Sequence, residues 1–295
     1  MTTIAVHPQG EVGSPDPVGT ADRLRGHVTN RLAQLLDGVT VSGKIHVSWY
    51  PAQEAATCPA RYRARGVEGW GFPGWSAPLA AAAIGRAALA RHLDTHDRSP
   101  LGPSLDPPLP APVEAVRAWM RAMAIAADCT VGDWAAERMG ERDDAALAAA
   151  AAGATRWLAG FVRVLGWPLP DRLHLLGPVR GTSDRPLRWS PRGADVPVTV
   201  APGADARLGR VTGSGAFALV VHRVTAGDDE RLHDRAAFEA AAGALAIGIV
   251  PAAVVLTAGD TGEWLRVPVA PHLLDRGADL VAGVVRQRVI AVERS

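Results

Sequence analysis

Four residues in the second half of the chain combine types and spacings that bear on catalysis: Asp205, His222, Arg235 and Glu239. Asp205 opens the run Asp205-Ala206-Arg207-Leu208-Gly209, and His222 sits near the end of an apolar stretch over 216–224. Arg235 and Glu239 are four residues apart, so on a helix they share one face. Metal-assisted hydrolysis needs a hard divalent cation held by carboxylate oxygens, plus a cation that orients water and steadies developing charge. Asp205 supplies one carboxylate, and Glu239 supplies a second if its helix packs over the Asp205 strand. His222 is a poorer magnesium ligand than a carboxylate. Lys44 is the single lysine of the chain, and Arg223 cannot replace an amine that must shed a proton, because guanidinium stays protonated. The alternative, favoured where catalysis is concerned, makes Arg235 and Glu239 a surface helix pair worth about a few tenths of a kcal/mol, which still leaves room for the cluster to be a partly buried polar site.

Other chemistries lack their signatures. The chain contains no G-x-x-x-x-G-K-[ST], no G-x-G-x-x-G between strand and helix, no H-E-x-x-H, no C-x-x-C and no G-x-S-x-G. His92 and His96 stand one helical turn apart but have no second ligand pair nearby, so they read as exposed helix-end histidines. Two cysteines, Cys58 and Cys129, exclude a disulfide framework and a four-thiolate metal site. A reducing cytoplasm is the expected location.

The elements that must position these residues follow from periodicity. Leu24, Val28, Leu32 and Leu35 predict an amphipathic helix between Thr20 and Gly38, preceded by a mobile tail over 1–19. An extended run over 45–49 leads to a helix from Pro51 to Arg65, and a further helix is expected over 78–93. Prolines at 100, 103, 107, 108, 110 and 112 predict an extended connector, after which 113–165 is helical. Beyond Trp167 the texture becomes β: strands are expected over 187–189, 196–200, 204–208, 216–224, 252–257 and 264–269. Helices over 230–247 and 273–288 complete the pattern, giving one mixed sheet covered by helices. The uncharged run 240–259 is long enough to be weighed as a membrane span. Gly248 and Pro251 interrupt it, and it reads instead as a buried helix end, a turn and a core strand.

With 295 residues, 48% hydrophobic and 21% charged, the chain can bury a sizeable core. Thirty-one basic against thirty acidic residues leave +1, which argues against a chain held on nucleic acid or membrane by overall charge. Locally the balance differs: 156–223 holds ten arginines, four aspartates and no glutamate. With Trp157, Trp167 and Trp189 close by, such a segment suits a phosphate backbone and stacked bases. Arg61, Arg63 and Arg65 around Tyr62 form a second basic strip. An equally simple account is that arginine-rich composition supplies the charge and the tryptophans fill core.

Several of these segments together resemble RecB-type nucleases of the PD-(D/E)XK superfamily. Ile45-His46-Val47-Ser48 followed by Cys58-Pro59-Ala60-Arg61-Tyr62 is similar to the short strand and Cys-Pro-x-x-aromatic helix that precede the family core. The 76–93 helix looks like the one that carries Gly-x-x-x-His, with Gly85 kept and Leu89 in place of the histidine. The Asp205 strand is similar to the strand bearing the first metal-binding aspartate. The 216–225 strand resembles the one ending in Asp/Glu-x-Lys-Thr, with His222 and Val224 at the acid and lysine positions and Thr225 retained. Shifted by one residue, the same alignment puts Val221 and Arg223 there. Phe238, Leu245, Gly248 and Pro251 match a family helix and turn, in which Arg235 and Glu239 occupy the Gln-x-x-x-Tyr positions. Gly262-Glu263-Trp264 and the last helix continue the likeness, which covers about 44–290 apart from a helical insertion at 113–166.

The resemblance implies an α/β (α+β) fold, a mixed central sheet flanked by helices, as a single domain over 20–295. It implies a degenerate site at Asp205, His222, Arg235 and Glu239, and hence an inactive nuclease-fold protein in DNA metabolism or repair that binds DNA or a protein partner. Arg61, Arg63, Arg180, Arg185, Arg188 and Arg223 are the expected nucleic-acid contacts. No cofactor is expected and no membrane. In the alternative of an active nuclease with relocated ligands, Asp205 and Glu239 would hold magnesium or manganese. A second alternative is a protein-interaction scaffold that does not touch DNA.

Overall fold

The computed structural model describes residues 16–39, 45–68, 75–95, 120–121, 124, 129–165, 174–177, 188–189, 198–209, 217–223, 229–258 and 264–293. Helix α1 spans Pro17–Leu36 and buries Leu24, Val28, Leu32 and Leu36, a stripe at four-residue spacing. It starts inside the segment expected to be a tail. Asp16 accepts the Gly19 N–H at 2.9 Å and Pro17 has no N–H to satisfy, so cap and first turn form together.

Strand β1 (Ile45–Val47) is followed by two helices, α2 (Trp49–Thr57) and α3 (Pro59–Glu68), where one helix from Pro51 was expected. The break falls at Cys58 because Pro59 disfavours helical geometry in the residue before it. Helices α4 (Ala77–Thr95), α5 (Cys129–Gly140) and α6 (Asp144–Leu165) form a separate group, with α4 packed along α6. Ile84, Leu89, Trp157, Leu158 and Phe161 make its core, joined by Leu208 and Val220 from the sheet.

The remaining strands are β2 (His174–Gly177), β3 (Arg188–Trp189), β4 (Val198–Val200), β5 (Ala206–Gly209), β6 (Phe217–Arg223), β7 (Ala253–Ala258) and β8 (Trp264–Pro268). They form two sheets among the described residues, β1-β4-β3 and β2-β5-β6-β7-β8, where a single mixed sheet was expected. The chain leaves one ladder for the other between Val200 and Ala206. Pro202 has no N–H to offer a ladder there, and Gly203 gives its own to a side chain. Strand β2 was not expected at all.

In the larger sheet β6 lies between β5, antiparallel, and β7, parallel. Helix α7 (Asp229–Ile247) makes the crossover that parallel neighbours require. It ends at Gly248, whose φ of +77° suits a residue without a side chain, and β7 follows. The uncharged run is therefore helix end, turn and strand, and no described helix is long and apolar enough to cross a membrane. Helix α8 (Pro271–Glu293) packs on α7 and α1, and the Arg31–Asp279 ion pair joins α1 to α8. Residues alternate along β6: Phe217, Leu219 and Val221 enter the core shared with α7 and α8, while Val220 enters that of α4 and α6.

Candidate functional site: a buried double ion pair

Asp205 stands one residue before β5 and donates its N–H to the Val220 carbonyl at 2.7 Å, extending the ladder to β6. Its side chain is fully buried. Oδ2 accepts the backbone N–H of His222 at 2.6 Å, and Oδ1 accepts Nε of Arg86, on α4, at 2.6 Å. Asp205 and His222 thus meet, but through the histidine's main chain. The imidazole lies with the α4 and α6 core: Nδ1 is 2.7 Å from Thr257 Oγ1 on β7, and the ring meets Trp157 and Phe161 edge-on at 5.0 and 5.6 Å. A ring held by a hydroxyl and two aromatic neighbours is fixed as core, which explains a histidine inside an apolar strand.

Glu239 and Arg235 form the other half. Glu239 is fully buried, so a solvent-facing helix pair is not what the fold contains. Oε1 lies 2.8 Å from Arg235 Nη2, and Oε2 accepts the Gly203 N–H at 2.7 Å. The Arg235 guanidinium also sits 5.1 Å above the Trp49 ring, whose other neighbour is Phe238 at 6.0 Å. Among the described residues neither Arg235 Nε nor Glu239 Oε1 has an aligned hydrogen-bond partner, so charge rather than bond geometry holds this pair. Gly203 is needed for the approach: a Cβ there would stand 2.6 Å from Arg235 Nη2 and 2.9 Å from Glu239 Oε1. Since Gly203 and Asp205 belong to one short link, both carboxylates converge on the segment between β4 and β5.

Two residues that complete this arrangement were not singled out from sequence. Arg86 is the only charged residue between Ala77 and Ala90 of an alanine-rich helix, and a lone charge on an apolar face is the signal that identifies it. Thr257, buried in a hydrophobic strand, gives a weaker hint.

Burial pushes both carboxyls above the ordinary carboxylate range. Arg86 and the His222 N–H pull against it at Asp205, and Arg235 and the Gly203 N–H do so at Glu239. Each carboxyl therefore binds its proton more tightly folded than unfolded. Their contribution to stability is fully present below the unfolded value of about 4 and is lost as pH rises through the raised folded values. Chemical denaturation across this range should show it. The stability of the wild type relative to an Asp205→Asn/Glu239→Gln double variant should decrease as pH rises above about 4, and an increase would refute the assignment.

A divalent cation does not fit these residues. Three of the four carboxylate oxygens accept N–H donors and the fourth lies 2.8 Å from a guanidinium, so a hard cation bound there would have to sit against the two arginines that already neutralise these acids. Among the described residues no group of three or more His, Cys, Asp and Glu side chains is placed to hold a metal ion.

Of the basic residues expected to meet nucleic acid, the four that are described lie on three different elements. Arg61 is exposed on α3, whereas Arg63 donates to Gln287 Oε1 on α8 at 2.5 Å. Arg188 lies in β3 opposite Thr199, and Arg223 ends β6 opposite Ala258. Arg180 and Arg185 lie outside the described residues, as does Val224. Comparison of the chain with models of known protein families, with curated proteins and with solved structures finds no match in any of the three.

Proposed function

We propose that this chain is a catalytically silent protein of nuclease-like design that acts in DNA metabolism by binding DNA rather than cutting it. One observation carries the reading: where the resemblance calls for a metal held by carboxylates, Asp205 and Glu239 are each engaged by an arginine and a backbone N–H. Guanidinium groups neutralise the buried carboxylates without supplying a Lewis acid or a removable proton. The strand order β5-β6-β7 with a helical crossover supports the likeness of fold, and the ten-to-four excess of arginine over aspartate in 156–223 supports contact with a phosphate backbone.

The purified chain, incubated with magnesium or manganese, should leave linear and circular DNA uncut. It should bind a generic duplex or single strand at low salt, with affinity falling steeply as salt rises. Replacing Arg180, Arg185 and Arg188 together should lower the slope of log K against log salt. Cleavage that Asp205→Ala or Glu239→Ala abolishes would make the protein an active nuclease. Absence of binding at low salt would transfer the reading to a scaffold for protein partners.

A further inference from the structure

We draw no further inference here: the strongest candidate, the solvent-facing stripe of Ala145, Ala149, Ala152 and Ala159 along α6 with Arg156 among them, is an unpartnered face of small residues, and nothing in the structure shows what covers it.

Discussion

Arg235→Ala is expected to destabilise the protein by about 3–5 kcal/mol, the cost of leaving a buried carboxylate without its partner. Glu239 would keep a single donor, the Gly203 N–H at 2.7 Å, in a site from which solvent is excluded. The chain can relieve the strain by protonating Glu239, so the loss should grow as pH rises. A second contribution comes from the guanidinium over Trp49, worth about 0.5–2 kcal/mol. An Arg235→Met/Glu239→Gln double variant separates these effects. Methionine keeps packing on Trp49, and glutamine keeps an acceptor for Gly203 without the charge. Urea unfolding should show the double variant recovering more than half of the loss, because a buried pair contributes little net stability once its own desolvation is counted. If the double variant is as unstable as Arg235→Ala, packing rather than charge holds this site.

How much of this cluster was legible beforehand divides along a physical line. Periodicity reports which face of an element is buried, so the β5, β6 and β7 strands, the α7 crossover and the four-residue stagger of Arg235 and Glu239 could be read directly. Periodicity says nothing about what lies against that face. An Arg/Glu pair at this spacing is ordinarily a solvent-facing pair, and only the packing of α7 beneath Trp49 and the 201–205 link makes it buried. The partner of Asp205 was harder still. Arg86 is 119 residues away on a helix whose other features, Gly85 and the buried Leu89, pointed to packing. Long-range ion pairs leave no local spacing to read, and an arginine-rich composition hides those that matter. The division into two sheets and strand β2 were missed for a related reason: strands of two to four residues carry too few alternations to reveal a period.

The second large effect tests the packing of α7 on α8, which carries the Arg235–Glu239 helix. Ala236, Ala237, Ala240, Ala241, Ala242 and Ala244 of α7 are fully buried, and so small a set of side chains lets another helix come close only if it too is small at the crossing. Gly277 of α8 meets that demand. A Cβ there would press into the carbonyl oxygen of Ala237 and stand 2.6 Å from the Ala241 Cβ. Neither obstacle can rotate away, since one is main chain and the other has no rotamer, so the helices must separate along their length. Gly277→Ala should therefore cost about 2 kcal/mol: overpacking costs roughly 1–3 kcal/mol, occasionally more, and the better helix propensity of alanine offsets only part of it. Gly283 is the control, six residues further along the same helix, where a Cβ would meet nothing within 4 Å. There the propensity gain acts alone, and Gly283→Ala should stabilise by about 0.5–1 kcal/mol. Opposite signs in urea unfolding would locate the close approach at Gly277. Two shifts of equal sign would mean that α7 and α8 are not held as closely as their alanine and glycine positions imply, and that the Glu239 site has room to rearrange.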